Sequence, residues 1–330
     1  MSDLPADTTP PSSPRIGVLI NRMSGRNRTG TQALDAFLAS RPDIPVQRPD
    51  RPEATAAALA ALAAQGVNVL AICGGDGTVQ QALNLLLSPA TPFARLPPIA
   101  ILPGGTTNMI AHDINEARRP LPVLRTILRH AAAGSLASRV AARPVMRLSG
   151  GDAPTPAYGF FFGAAGIYDA TMQNRATIDR MGVRDSLGPA LRLLIVLFRI
   201  AIGRDPFPPV PMGLALDGKP YGEKPVIALL ASTLDRLVLG VVPFWGADAG
   251  PIRLTTVFAH AHSVLRAVFL ALRSRPHKLL RPENGYDSFN SERIELAFDG
   301  PCVLDGEMFH ASRARPIMLE AAGTVSFLRG

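Results

Sequence analysis

The pattern of hydrophobic and polar positions differs between the first part of the chain and the rest. From Arg15 to Arg139, short apolar runs alternate with Ala- and Leu-rich stretches of helical length, of which residues 53–64 are an example. Such an alternation is typical of an α/β layer built on a parallel sheet. The pattern therefore predicts an α/β domain with a parallel sheet over residues 15–140.

Beyond residue 140 the apolar runs become short, resemble β-strands and are separated by turn residues. These runs cover residues 145–148, 158–162, 212–216, 226–230 and 294–298. Asp217 and Gly218 lie between two such runs and are typical of a two-residue hairpin turn. The pattern predicts a mainly antiparallel β domain with helical inserts over residues 141–313. Residues 1–14 contain several prolines and no apolar segment, so we expect a disordered tail that is neither a secretory signal nor an anchor.

A glycine-rich turn follows one apolar strand and precedes a helical pattern. It consists of Gly74, Gly75, Asp76, Gly77 and Thr78. Glycines let backbone N–H groups approach an anion closely, and the helix N-terminus adds a favourable dipole. An Asp in such a turn can hold a hydrated magnesium ion. A tight strand-to-helix turn also uses glycine for steric reasons alone, but the combination favours a nucleotide over a peptide as ligand.

A second turn of the same kind strengthens this interpretation. Residues 99–102 form a short apolar strand, and residues 103–108 follow with glycines and small polar residues. Two such turns, each after a buried strand, suit the carboxyl edge of one parallel sheet, where ligands usually bind.

In their order along the chain, these motifs resemble the diacylglycerol kinase catalytic superfamily. The resemblance is strongest to its bacterial soluble lipid kinases, to which sphingosine and ceramide kinases are related. Residues 74–78 match the family's Gly-Gly-Asp-Gly-Thr, and residues 103–108 match its Pro-x-Gly-Thr-x-Asn. Residues 16–26 resemble its opening strand and Asn-Pro-x-Ser-Gly turn, with Arg22 in place of proline. Further matches are the small-residue and Asp-Ala element at 163–170 and the Asp-Gly-Glu at 305–307.

The resemblance implies transfer of the γ-phosphoryl group of ATP, with Mg²⁺, to a lipid hydroxyl in a cleft between the two domains. It makes Asp305 the candidate general base, Asp76 and Glu307 the candidate metal ligands, and Glu307 a second catalytic residue. Read alone, Asp305 would be the first residue of an ordinary Asp-Gly hairpin turn. The resemblance also implies that residues 141–313 bind the lipid and that residues 314–330 return to the first domain. The candidate nucleotide-binding residues are Asn21, Ser24, Gly25, Gly74, Gly75, Asp76, Gly77, Thr78, Gly105, Thr106 and Asn108.

The chain departs from the family at two positions near the expected site. Gln81 stands where the family usually has Glu, and Met109 follows Asn108 where it usually has Asp. A neutral Gln can form hydrogen bonds but cannot balance a cation. The metal arrangement, the head-group contact and the identity of the lipid therefore stay open.

Composition and charge narrow the class of partner. The chain has 330 residues, 47% hydrophobic content and a formal net charge of +8, which favours an anionic partner such as a nucleotide, a nucleic acid or an acidic membrane. Two cysteines, Cys73 and Cys302, form neither a disulfide framework nor a metal cluster, so we expect a reduced cytoplasmic setting. Residues 187–202 and 262–278 are apolar with arginines seven apart. They are too short to cross a bilayer, which takes about 20 residues, and either lie in a membrane interface or pack on their own domain.

We therefore predict a cytoplasmic lipid kinase that associates peripherally with a membrane, with a homodimer left open. One alternative is an enzyme similar to NAD kinase with a water-soluble acceptor. Another is a nucleotide- or lipid-binding protein without turnover, which Gln81 and Met109 keep open. A nucleic-acid binder is the least favoured, because aromatic content is 6% and no basic stripe is interleaved with stacking residues.

Overall fold

The computed structural model describes residues 10–11, 13–22, 31–105, 108–115, 119–168, 208–237, 240, 242–271 and 277–330. Of the sequence-based predictions, those for most of the N-terminal tail, Ser24, Gly25, Thr106 and the segment 187–202 lie outside these residues. The chain divides into two compact units, Met1–Arg143 with Gly323–Gly330, and Pro144–Ala322. The sequence pattern had suggested boundaries after residues 140 and 313.

The first unit alternates strands with helices. Its strands are β1 (Ile16–Ile20), β2 (Val46–Gln47), β3 (Val69–Gly74) and β4 (Ile99–Pro103). Its helices are α1 (Gln32–Ala39), α2 (Thr55–Ala64), α3 (Asp76–Leu86), α4 (Met109–Ile114) and α5 (Pro120–Ala132), with 3-10 turns at Pro52–Ala54 and Leu136–Arg139. The strands pair in parallel in the order β2-β1-β3-β4. The predicted α/β domain with a parallel sheet is confirmed.

Burial explains why the strands of this unit read as continuous apolar runs. Every residue of β1, β3 and β4 is buried, as expected for parallel strands that are covered on both faces. Val18 belongs to a core cluster that also contains Leu34 of α1 and Val123 of α5. Leu59 and Leu62 of α2 are fully buried as well.

The described part of the second unit consists mainly of antiparallel strands. They are β5 (Val140–Ser149, which begins in the first unit), β6 (Ala157–Gly159), β7 (Phe161–Ala165), β8 (Val210–Leu216), β9 (Lys219–Ser232), β10 (Ile252–Phe258), β11 (Tyr286–Ser291), β12 (Arg293–Ala297), β13 (Gly300–Leu304) and β14 (Glu307–Ala311). Its described helical segments include α6 (Val264–Ala271) and a 3-10 turn at Pro282–Asn284. The predicted antiparallel β region is confirmed.

The long strand β9 organises this unit. It pairs with β7, β8 and β10, and β11 continues the sheet beyond β10. Asp217 and Gly218 connect β8 to β9 with φ angles of 50° and 77°, so the hairpin turn predicted there is confirmed. The last strand, β15 (Ile317–Leu328), pairs with β12 at its start, and its Phe327 pairs in parallel with Ile99 near its end.

The apolar run at residues 158–162 differs from its predicted single strand. Phe160 separates β6 from β7. Its N–H donates to the carboxylate of Asp305 at 2.8 Å rather than to a neighbouring strand. A side chain distant in sequence thus interrupts the run.

In the part of the chain that the structure describes, no helix is long and apolar enough to cross a membrane.

Both cysteines are expected to be inert in the folded protein. Cys73 and Cys302 are buried and form no disulfide, and burial raises the pKa of the Cys302 thiol to about 12, so its reactive thiolate is scarce at pH 8. We expect an aromatic disulfide reagent to modify almost no thiol in the native protein and both thiols in guanidinium chloride. Fast modification of the native protein would contradict this packing.

Candidate functional site

The ends of three parallel strands meet in the first unit. Asn21 follows β1, and its N–H donates to the carbonyl of Cys73 at the end of β3 at 3.0 Å. Its side-chain amide donates to Thr78 Oγ1 at 2.9 Å. Gly104, after β4, donates its N–H to the carbonyl of Gly74 at 2.9 Å. The structure thus brings together the described nucleotide-binding candidates at the carboxyl edge of the sheet.

The two glycine-rich turns touch through their backbones. A Cβ atom added to Gly105 would lie 2.4 Å from the Cα of Gly75, closer than any real contact. Glycine at 105 is therefore required by the close approach of the two turns. In contrast, a Cβ atom added to Gly77 would meet nothing within 4 Å, so the start of α3 is open at that position.

Asn108 shapes the second turn. Its φ is 50°, in the left-handed region that Asn tolerates better than most residues. Its side-chain oxygen accepts the N–H of Gly105 at 2.7 Å, and its amide group donates to the carbonyl of Gly105 at 2.6 Å. The side chain closes the turn on itself and sets the position where α4 begins.

Asp76 connects the two turns. Its two carboxylate oxygens accept the N–H groups of Met109 and Ile110, at 3.0 and 3.1 Å. These are the first two residues of α4, whose N-cap residue has no side-chain capping bond of its own. Burial raises the pKa of Asp76, and the two N–H donors offset part of that rise. Asp76 therefore caps α4 from the first residue of α3.

The start of α3 is suited to an anion. Gly75 is its N-cap and forms no side-chain capping bond. The first N–H groups of a helix carry partial positive charge, although in α3 the N–H of Thr78 already donates to the carbonyl of Gly75 at 2.9 Å. A phosphate could accept hydrogen bonds there.

A magnesium ion at this edge could use the carboxylate of Asp76. Among the described residues, no group of three His, Cys, Asp or Glu side chains could hold a metal ion by itself. Mg²⁺ is usually bound by one or two carboxylates together with phosphates and water. Each oxygen of Asp76 accepts one backbone N–H and keeps further lone-pair capacity. The residues present therefore fit Mg²⁺ that is shared with nucleotide phosphates.

Gln81 uses both ends of its amide within the first unit. Its Nε2 donates to the carbonyl of Pro52 at 2.8 Å, and its Oε1 accepts a hydrogen bond from Thr55 Oγ1 at 3.3 Å. The side chain joins α3 to the start of α2. A glutamate could not donate the bond to Pro52, so the departure from the family has a local structural reason.

Asp305 and Glu307 lie in the second unit. Asp305 and Gly306 form the two-residue turn between β13 and β14, with φ angles of 46° and 96°. The carboxylate of Asp305, which is 6% exposed, accepts the N–H groups of Phe160 and Phe161 at 2.8 and 2.9 Å. The surrounding protein removes part of the water from the carboxyl group of Glu307, which raises its pKa. Asp305 is thus both a hairpin residue and an anchored carboxylate.

Sequence patterns did not identify two contacts that help to position the candidate residues. Gly159 lies beside Asp305, since a Cβ atom added there would be 2.7 Å from its Oδ2. Arg143 forms a buried ion pair with Asp113 of α4, with Nε and Oδ2 2.6 Å apart. This pair anchors the far end of the helix that Asp76 caps. No periodicity or motif signals either contact, because each joins segments that are distant in sequence.

The contact between the glycine turns is expected to make Gly105→Ala destabilising. The added methyl group must displace the backbone of Gly75, and overpacking of this kind costs about 1–3 kcal/mol. Gly77→Ala is the matched control, because its methyl group enters open space and alanine favours a helix over glycine by about 1 kcal/mol. Thermal unfolding followed by circular dichroism should show a lower Tm for Gly105→Ala only. Equal Tm values would contradict the close approach.

Restoring the family's usual residue at position 81 should weaken the fold. In Gln81→Glu the carboxylate would face the carbonyl oxygen of Pro52 without a proton to donate; because this bond is exposed, its loss costs about 0.5–1.5 kcal/mol. The control is Gln65→Glu, because this exposed side chain donates to the carbonyl of Ala61 in the same helix, whereas Gln81 joins two segments. Urea unfolding at pH 7 measures both. A Gln81→Glu protein as stable as the Gln65→Glu protein would show that the amide bonds contribute nothing.

Comparison with known proteins identifies the part of the chain that carries these turns. Residues 15–136 match the diacylglycerol kinase catalytic domain. A search of curated protein sequences found no match. Among solved structures, the chain is similar to a diacylglycerol kinase from Bacillus anthracis str. Sterne, with 17% identity, a TM-score of 0.62, and coverage of 96% of this chain and 97% of that one.

A second solved structure extends the likeness of the fold. Yeast NADH kinase, complexed with NADH, is 10% identical, with a TM-score of 0.50 and coverage of 96% of this chain and 84% of that one. At such identities, the two likenesses show a shared fold. Residues 15–136 hold both glycine-rich turns and match the family directly, so the predicted resemblance to the diacylglycerol kinase catalytic superfamily is confirmed for this part of the chain.

Proposed function

We propose that the protein is an ATP-dependent lipid kinase that transfers the γ-phosphoryl group to a lipid hydroxyl. The observation that carries this proposal is the junction of the two glycine-rich turns through Asp76, inside the stretch that matches the diacylglycerol kinase catalytic domain. The proposed setting is the cytoplasmic face of a membrane, with which the protein associates peripherally.

Phosphate binding is assigned to the backbone of the first turn. The N–H groups at the start of α3 can donate to phosphate oxygens, and the helix dipole favours their negative charge. Asn21 holds Thr78 by a hydrogen bond of 2.9 Å and so fixes the first turn of α3. Ser24, Gly25 and Thr106 are proposed to complete the nucleotide site on the ground of the family motifs alone.

Asp76 and Glu307 are the residues proposed to hold Mg²⁺. The ion would neutralise phosphate charge as the γ-phosphoryl group is transferred. Asp76 is prepared for this because two backbone N–H groups fix the direction of its carboxylate. Removing Mg²⁺ should abolish transfer.

Asp305 is proposed to accept the proton of the lipid hydroxyl. Its oxygens already accept one N–H each, from Phe160 and Phe161, and these bonds fix the orientation of the carboxylate. An oriented base lowers the cost of reaching the transition state. Glu307, two residues further, is proposed to hold a metal ion or a water molecule.

The direct test is transfer of label from γ-labelled ATP with Mg²⁺ into lipids that extract into organic solvent. Mixed micelles supply a panel of lipid alcohols, and NAD is offered in a parallel reaction. Label in a lipid supports the kinase and identifies its acceptor. Label only in NADP would assign a water-soluble acceptor, and ATP binding without any transfer would favour a binding protein.

The second unit contains a matched control for the proposed base. Asp217 occupies the same position in a two-residue Asp-Gly turn, and its Oδ1 accepts bonds from the N–H groups of Glu292 and Arg293. We expect Asp305→Asn to lower kcat by about 10²–10⁴-fold, the usual contribution of a general base, and Asp217→Asn to leave kcat unchanged. ATP affinity of both variants is measured in parallel to show that they are folded. Full turnover in Asp305→Asn would remove Asp305 from the mechanism.

A further inference from the structure

We propose that helix α6 and the neighbouring residues 277–284 form a docking surface for an anionic phospholipid bilayer. The inference rests on the proposed function, because it identifies where a lipid kinase would meet the membrane that contains its substrate. Vesicle binding, however, requires neither ATP nor turnover, so the two proposals can fail separately.

Helix α6 has one buried and one exposed side. Ala267 is 2% exposed and forms a small core with Leu280 and Tyr286, against which Leu270 also packs. On the other side, Arg266 is exposed and Phe269 is 53% exposed. These two residues are three positions apart and therefore neighbours on the helix surface. A large aromatic ring and a guanidinium group thus share the solvent-facing side.

The segments before and after α6 are joined to each other by hydrogen bonds. The Tyr286 hydroxyl donates to the carbonyl of His262 at 2.7 Å, and the His260 ring lies 3.2 Å from the carbonyl oxygen of Pro282. The side-chain amide of Asn284 donates to the carbonyl of Lys278 at 3.0 Å. The helix and residues 277–284 therefore form one small substructure with its own core.

Charge at this substructure favours an anionic partner. Besides Arg266, Lys278 and Arg281 are exposed, and Glu283 is the one acidic residue in the described segments 259–271 and 277–284. The long stems of Arg and Lys can lie along apolar lipid while their charged groups stay at the phosphates. An exposed aromatic ring beside basic residues is the composition of helices that lie in the membrane interface.

A bilayer fits this surface better than a protein does. Protein interfaces are enriched in arginine and aromatic residues but depleted in lysine, so of the basic residues here Lys278 argues against a protein partner, whereas each Lys or Arg near an acidic membrane strengthens binding by about fivefold. The net charge of the whole chain, +8, has the same sign. The occupant we assign is therefore a bilayer that contains acidic phospholipid, such as phosphatidylglycerol.

The test is co-sedimentation with vesicles of phosphatidylcholine, with and without phosphatidylglycerol, in the absence of ATP. We expect the protein to bind the acidic vesicles, Arg266→Gln to weaken that binding by about fivefold, and Phe269→Ser to weaken it by more than about tenfold. Arg129→Gln is the control, because Arg129 is an exposed arginine of α5 in the other unit. We expect it to change binding by less than twofold.

A fluorescent label makes the contact site visible. Because both native cysteines are buried, Phe269→Cys can be labelled alone with a polarity-sensitive dye, and Arg129→Cys provides the matched position. We expect a blue shift on acidic vesicles at position 269 and none at position 129. Equal shifts, or equal losses of vesicle binding in Arg266→Gln and Arg129→Gln, would show that the whole protein is attracted by its charge. Either result would contradict docking through α6 and residues 277–284.

Two further outcomes distinguish membrane docking from self-association and from the proposed kinase activity. If Phe269→Ser abolishes self-association in sedimentation velocity but binds vesicles as well as the unaltered protein does, the surface belongs to a second copy and the proposal is wrong. If the unaltered protein binds vesicles through this surface but phosphorylates no lipid in detergent micelles, the docking surface stands and the lipid kinase does not.

Discussion

The carboxylate of Asp76 is the contact on which the rest of the candidate site depends. It begins α3 and, by accepting two N–H groups, also caps α4. The two helices follow different strands, and this side chain holds their glycine-rich turns together in addition to the bond from the Gly104 N–H to the carbonyl of Gly74. The close approach of Gly105 to Gly75 and the left-handed backbone of Asn108 occur where the two turns are held together. A residue with such a structural task is also well oriented for a phosphate-bound cation.

Two aspartates of the second unit also accept backbone N–H groups. They show that an aspartate required by a turn is difficult to distinguish from an aspartate required by catalysis. Asp217 and Asp305 both begin two-residue hairpin turns with positive φ, and both accept backbone N–H groups from another strand. A turn that favours Asp-Gly therefore supplies an oriented carboxylate as a by-product of folding. The local geometry of the two turns does not distinguish them. Asp305 is the candidate base because it lies in the Asp-Gly-Glu that resembles the family motif.

Fold class could be predicted because it depends on patterns within short segments. Continuous apolar runs identified strands that are buried on both faces, and Asp217-Gly218 identified a hairpin. The glycine-rich turns could be placed at one sheet edge because parallel strands align their ends. In contrast, the ion pair of Arg143 with Asp113 and the break of a strand at Phe160 could not be predicted. Each depends on a partner that is close in space and distant in sequence.

The two departures from the family pattern look less disruptive in the structure than in the sequence. Position 109 contributes its backbone N–H to Asp76, and every residue except proline can supply that group. Methionine at 109 therefore leaves the capping contact unchanged. Gln81 lacks the charge of a glutamate, but its amide donates a hydrogen bond to the carbonyl of Pro52. What both changes remove is negative charge, so a Mg²⁺ ion at this edge would depend more strongly on Asp76 and on the phosphates of a bound nucleotide.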